Sequence, residues 1–398
     1  MSEKFQKPTL ALNLCVKPEA LDLHDLRVQP WNMNSWPDRR LLDVLGIELP
    51  IIQAPMAGET TPELVAAVSE AGGLGSLGCA TLSCEEVRNE VKRISELTSK
   101  PFNLNFFCHH APAEDISRRE AWIERLIPFY RELGLEPTDI HLGPRRQPFS
   151  IEMAECLEDL PPRVLSFHFG LPSPPVLTHL RSLGCRILSS ATSPREARWL
   201  AAKGADVIIA QGGEAGGHRA TFNFERDEAV IGGIALIPQI ADAVDLPVVA
   251  AGGIADGRGI AAAFALGACG VQIGTAYLLC DEARVSPLHR AAVERAEADD
   301  TIISNVFTGR PARVILNRFV GSLGPMSQAV PDFPLALNPL MPLRERAEAS
   351  GSSDFTPLYA GQAAGLSRSM SAYELTKLLA KEAQDRLRAM SYGRSAEL

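Results

Sequence analysis

PVVAAGGIADGRGIAAAFALGACGVQIGTAYL, residues 247–278, decides how the chain folds. It opens on a short β-branched run at 247–253, breaks at Gly252-Gly253 and continues as an Ala-rich helical pattern over 257–266. A second apolar run follows at 270–278. Apolar runs buried on both faces and joined by a helix read as parallel strands with a crossover connection. The same unit recurs outward along the chain. Toward the N-terminus lie PIIQAPM (50–56), GLGSLG (73–78), FNLNFF (102–107), VLSFHFG (164–170), RILSSA (186–191) and DVIIAQG (206–212). Helical patterns at 61–71, 83–97, 173–183, 194–203 and 233–243 fall between most of them. Thr61-Pro62 and Ser193-Pro194 each place a capping side chain ahead of a proline at the first helical position. Gly72, Gly184 and Gly204 sit where left-handed caps close helices. Eight such units predict an α/β protein, a closed (β/α)8 TIM barrel over residues 41–285.

Three segments fall outside that pattern. Residues 1–40 read as an N-terminal arm. An insertion of about 108–162 follows the third strand, with a helical pattern near 114–133 and a Pro-rich stretch near 135–150. It belongs to the substrate-facing end of the barrel, where long loops form lids and binding surfaces. Residues 286–398 carry further helical patterns at 286–298 and 371–390 and are expected to pack on the barrel as a helical extension.

Composition narrows the function. The 398 residues are 46% hydrophobic and 22% charged, an ordinary globular balance that excludes a largely disordered or fibrous chain. The net charge of -9, with no basic run, makes nucleic acid and anionic membranes poor partners. No apolar stretch approaches the roughly 20 residues that span a bilayer, and the N-terminus lacks a secretory pattern. The eight cysteines (15, 79, 84, 108, 156, 185, 269 and 280) include no C-x-x-C pair. They read as reduced, mostly buried thiols, which argues against a metal site and for a cytoplasmic enzyme.

In a barrel the chemistry sits at the C-terminal strand ends. Glycine-rich turns at Gly252-Gly253 and at Gly274-Thr275 point to a phosphate, held by converging N–H groups and the N-terminus of the following helix. Asn105 and Gln211 place carboxamides at buried strand ends, and an amide that both donates and accepts suits the N–C=O edge of a flavin. Amides above a phosphate site favour FMN, with the 54–58 turn supplying small groups against its ring. His168 shares a strand face with Val164 and Ser166; among apolar neighbours it stays neutral near pH 7 and can accept a proton. His218, in a glycine-rich loop, is a candidate for orienting phosphate or substrate. Glu214 and Asp256 read as loop-fixing groups, and neither Cys79 nor Cys108 has a neighbour that marks it as a nucleophile.

These residues fall in motifs that resemble the FMN-dependent nitronate monooxygenases, the 2-nitropropane dioxygenase family. The motifs are PIIQAPMAG (50–58), AGGLGSLG (71–78), PFNLNFF (101–107), SFHFGLP (166–172), QGGEAGGHR (211–219), 248–278, TGRPARVILNRF (308–319) and LYAGQAAGLSR (358–368). The resemblance runs over roughly 41–390 and implies an FMN barrel. It carries flavin and phosphate contacts onto Met56, Ala57, Gly58, Asn105, Gln211, Gly216, Gly217, Gly252, Gly253, Gln272, Ile273, Gly274 and Thr275. It makes His168 the base that removes the α-proton of a nitroalkane. The implied reaction oxidises alkyl nitronates, and with the base nitroalkanes, by O2 to carbonyl compounds and nitrite. The arm, the 134–162 stretch and His218-Arg219-Ala220-Thr221, where a further Gly is common, depart from the pattern. Flavin-dependent NAD(P)H:quinone and enoyl-thioester reductases share the superfamily and form the alternative. A phosphate-ligand-binding barrel without catalysis is the reading from outside enzymology.

Overall fold

The computed structural model describes residues 36–112, 115–137, 146–222 and 230–392. Most of the expected N-terminal arm therefore lies outside the described residues. Trp36 begins the described chain, buried and stacked on Phe264 with ring centroids 5.6 Å apart.

Eight parallel strands form the expected barrel: β1 (Ile51–Gln53), β2 (Gly75–Gly78), β3 (Phe102–Phe107), β4 (Val164–His168), β5 (Arg186–Ala191), β6 (Val207–Gln211), β8 (Val248–Ala251) and β9 (Gly270–Ile273). They run in the order β1-β9-β8-β6-β5-β4-β3-β2. The ring closes where Leu74 N donates to Ile51 O at 2.9 Å and Gln53 N to Leu74 O at 3.0 Å. Closure removes exposed sheet edges.

The crossover helices are α2 (Pro62–Glu70), α3 (Cys84–Leu97), α6 (Pro174–Ser182), α7 (Pro194–Lys203), α8 (Gly233–Ala241) and α9 (Gly257–Ala265), preceded by α1 (Arg40–Leu45). Their caps follow the sequence. Thr61 accepts from Leu64 N, Ser193 accepts from Glu196 N, and Gly72, Gly184 and Gly204 all have positive φ. Outward side chains such as Leu104, Leu165 and Ile187 pack with Val87, Val91, Leu177 and Leu180 of the helices. Each such buried side chain contributes about 1.5–3 kcal/mol.

The insertion contains α4 (Ile116–Glu132) and α5 (Ile151–Glu155). Trp122, Leu126, Phe129 and Tyr130 of α4 share one core with Phe307, Phe319, Leu343 and Phe355 from beyond residue 300. The C-terminal segment holds α10 (Pro287–Arg295), α11 (Arg318–Leu323), α12 (Met341–Ala349) and α13 (Ala372–Tyr392). It also holds strands that a helical extension does not include. β10 (Thr301–Ser304) pairs antiparallel with β11 (Ala312–Ile315), and β11 pairs with β7 (Gly217–His218), a two-residue strand in the loop after β6.

The expectation of reduced, mostly buried thiols holds for Cys79, Cys108, Cys185, Cys269 and Cys280, which are free and all but Cys108 buried, but not for one pair. Cys84 and Cys156 form a disulfide across 72 residues of sequence, so the cysteines are not all reduced thiols. The insertion brings Cys156, at the end of α5, against the first turn of α3, and this proximity has no signature in local spacing. The argument from reduced thiols to a cytoplasmic setting loses that pair. Among the described residues no helix is long and apolar enough to cross a membrane.

Gly75 shows how tightly strand and helix meet. A Cβ there would collide with the backbone carbonyl of Val65 in α2. Gly75→Ala is expected to lower stability by about 1–3 kcal/mol, read as a reduced Tm, although the same change at an open site usually stabilises.

Candidate active site

Barrel interiors are ordinarily filled by branched apolar side chains. Here the lumen is polar between β1 and β4. Asn103 Nδ2 donates to Ser76 Oγ at 3.1 Å and to Ser166 Oγ at 2.9 Å, and Asn105 Nδ2 also donates to Ser166 Oγ at 2.9 Å. Gln53 Oε1 accepts from Ser76 N at 2.8 Å. This network supports the floor of a cavity of about 280 Å³ at the C-terminal strand ends. The C-terminal segment roofs it with Leu337, Arg344, Thr356, Tyr359 and Gly361.

The structure brings most of the expected residues together. Met56, Ala57, Asn105, His168, Gln211, Gly216, Gly217, His218, Gly252, Gly253, Gln272, Gly274 and Thr275 all line the cavity. Gly58 and Ile273 do not. Gly58 occupies an exposed turn at φ 90°, and Ile273 points to the opposite strand face from Gln272 and is 1% exposed.

The glycines allow close approach. At Gly216 a Cβ would lie 2.6 Å from the backbone of Ala360 and Gly361. That segment is tied down by Gly361 N donating to Thr275 Oγ1 at 2.9 Å and Gln362 N to Glu214 O at 3.0 Å. Among the described residues, the N–H groups of Gly253, Ile254 and Gly274 have no hydrogen-bond partner, and Gln272 Oε1 is buried without one. A buried unpaired polar group costs about 1–3 kcal/mol, so Gln272 Oε1 marks where a polar ligand would be stabilised, with the N–H groups of the glycine-rich turns beside it.

The helix expected to add its N-terminus to a phosphate site is not open. Asp256 accepts from Arg258 N at 2.9 Å and Gly259 N at 3.3 Å, and Glu382 of α13 accepts from Gly257 N at 3.1 Å. Two carboxylates thus occupy the first turn of α9, leaving the glycine-rich turns as the donors. Asp256 and Glu214 fix loops; Glu214 caps α8 through Gly233 N at 2.8 Å.

His168 is held at both ring nitrogens. Nε2 lies 3.1 Å from His218 O and Nδ1 lies 3.2 Å from Ser190 Oγ. Burial pushes its pKa down to about 4, against a smaller raising effect of the His218 carbonyl. Burial also lowers His218, whose Nε2 lies 2.9 Å from Thr308 Oγ1, and takes His109 to about 4. The imidazole of His168 is therefore neutral at pH 7. Phe169 follows it at φ 68°, an uncommon conformation for a bulky residue, with the Arg310 guanidinium 3.9 Å above its ring.

Gln211 is less free than an amide facing a ligand would be. Its Oε1 accepts from Ala220 N at 2.9 Å and Arg219 Nη1 at 3.2 Å, and its Nε2 donates to His218 O at 2.9 Å. It therefore offers the cavity only its remaining N–H.

Several lining residues escape a reading of strand ends. Ser190 stands one residue before the end of β5 and was reachable by the strand-end rule. Arg146, Glu59, His289 and Tyr359 arrive from loops and the C-terminal segment, without a local signal.

A family model described as nitronate monooxygenase matches residues 38–382. A nitronate monooxygenase of Pseudomonas aeruginosa is 43% identical over 86% of this chain and 98% of that protein. One from Paraburkholderia phytofirmans is 42% identical over 86% of this chain and 94% of its own length. Among solved structures, a nitroalkane oxidase from Streptomyces ansochromogenes superposes with a TM-score of 0.79 at 39% identity, covering 88% of this chain and 99% of that one. FabK from Thermotoga maritima superposes with a TM-score of 0.69 at 28% identity, covering 88% of this chain and 98% of that one.

The buried histidines give a pH dependence to stability. Their folded pKa values lie below that of an unfolded histidine, about 6.5, so the unfolded chain takes up protons first as the pH falls. Stability is complete above about pH 6.5 and is lost progressively toward pH 4. Tm should fall between pH 7 and pH 5, and His109→Gln, which cannot be protonated, should make that fall shallower in thermal denaturation.

Proposed function

Because this chain belongs to the nitronate monooxygenase family, we propose that it binds FMN in the barrel-mouth cavity and oxidises alkyl nitronates with O2 to carbonyl compounds and nitrite. Nitroalkanes enter the same reaction once deprotonated, a reading supported by the likeness to a nitroalkane oxidase. The observation that carries the proposal is a half-buried imidazole at His168, kept neutral by desolvation, in the same cavity as unpaired N–H groups and an orphaned carboxamide oxygen.

Those residues fit FMN by their chemistry. The N–H groups of Gly253, Ile254 and Gly274 would hold its phosphate, in the donor-rich setting that anions require. The carboxamides of Gln272 and Asn105 and the free N–H of Gln211 would meet the polar edge of the ring. Bound there, FMN would supply the electron acceptor and the place where O2 is reduced.

The chain's own groups manage the proton and the surroundings. His168, half-buried and kept neutral by desolvation of its ring, accepts the α-proton of a nitroalkane. The His218 carbonyl, already within hydrogen-bond distance, stabilises the imidazolium that results. Phe107 and Tyr359, with the roof segment, shield the reacting centre from water.

The test separates substrates by their need for a base. His168→Ala should lower turnover of a neutral nitroalkane by about 10²-fold or more, the usual contribution of a general base. Turnover of the same compound supplied as its nitronate should stay near wild type, with nitrite as the readout. Equal losses on both substrates would remove His168 as the base.

A further inference from the structure

The hydrogen bonds around His168 leave neither ring nitrogen open to the cavity. The His218 carbonyl can only accept, so the ring proton sits on Nε2 and donates across 3.1 Å. A neutral imidazole then carries its lone pair on Nδ1, and the Ser190 hydroxyl, 3.2 Å away, donates to it.

The ring is not free to swing out of this arrangement. The His218 carbonyl also accepts from Gln211 Nε2 at 2.9 Å. Gln211 cannot turn its amide over, because that would set its NH2 against Ala220 N–H and the Arg219 guanidinium. Arg219 is itself buried, with its Nη1 donating to Gly212 O at 2.7 Å. The line Arg219–Gln211–His218 carbonyl therefore locks the His168 tautomer. Ser190 is 4% exposed, lies on β5 with a backbone fixed by the barrel, and lines the cavity beside His168.

We propose that Ser190 is a catalytic proton relay: a proton leaving a nitroalkane in the cavity goes to Ser190 Oγ while the hydroxyl proton passes to His168 Nδ1. This rests on His168 being the base. In the step the substrate C–H bond breaks, and its electron pair stays on carbon and spreads onto the nitro oxygens, giving the nitronate. An O–H bond forms at Ser190 as the old one breaks, and an N–H bond forms at Nδ1. The product imidazolium keeps Nε2–H on the His218 carbonyl and points Nδ1–H at Ser190 Oγ. A hydroxyl fills both roles by rotating one hydrogen, and a methyl group fills neither.

The experiment compares holoenzymes of wild type, Ser190→Ala, Ser190→Thr and His168→Ala on one nitroalkane, given neutral and given as its nitronate. The relay predicts that Ser190→Ala loses about 10²-fold on the neutral compound, as a lost acid–base group does, and little on the nitronate. Ser190→Thr, which keeps the hydroxyl, should retain most activity on both. If direct transfer to Nδ1 operates instead, Ser190→Ala uncovers the nitrogen, and turnover of the neutral compound holds or rises. That result overturns the relay, as does an equal loss on both substrates. Should Ser190→Ala fail to fold, a selective loss in Ser190→Thr on the neutral compound also overturns it, and retention supports it. If wild type does not turn over the neutral compound, or His168→Ala is unaffected on it, the base reading falls and the relay with it.

Discussion

A two-residue strand holds the site in register. Gly217 and His218 of β7 pair with Arg313 and Ala312 of β11, joining the loop after β6 to the C-terminal segment. Arg313 reinforces the joint, its Nε donating to Gly213 O at 2.9 Å and its Nη1 to Thr301 Oγ1 at 3.1 Å. The pairing fixes the direction of the His218 carbonyl, and that oxygen takes N–H groups from both His168 and Gln211. The orientation of the imidazole is thus set from outside the barrel, by chain that comes about 100 residues after the loop it pairs with.

The second constraint is burial. A polar lumen is tolerated because much of it is paired within itself, the Asn103 and Asn105 amide N–H groups meeting the Ser76 and Ser166 hydroxyls. At the cavity, Gln272 Oε1 is buried without a partner, and the N–H groups of Gly253, Ile254 and Gly274 stand in the turns beside it. A buried oxygen without a partner favours a bound polar group there. The same burial keeps His168 neutral, so one physical cause supports both cofactor binding and proton acceptance in the proposed function.

The barrel was legible because each strand–helix unit is local. The β-branched runs, the Thr61 and Ser193 caps and the glycines at 72, 184 and 204 act within a few residues of themselves. Alternation along β4 placed His168 at the cavity, and position at a strand end placed Asn105 there; alternation also separates Gln272, inside, from Ile273, outside. What was hidden depends on distant chain. The closed N-terminus of α9 follows partly from Glu382, in a helix more than 100 residues later. The Cys84–Cys156 disulfide needs the insertion's path, and β7 is too short to show any period. Reading β5 to its end would have found Ser190, since nothing about it is long-range except its partner.

Fold alone does not choose the chemistry, since FabK from Thermotoga maritima has a similar structure. The most direct measurement is anaerobic mixing of the purified, FMN-loaded protein with an alkyl nitronate, and separately with NADH and NADPH, while the flavin spectrum is recorded. The account predicts reduction of the flavin by the nitronate, no bleaching by either nicotinamide, and return of the oxidised spectrum with nitrite formation when O2 is admitted. Rapid bleaching by NADH or NADPH with the nitronate inert would contradict it and assign the site to a reductase.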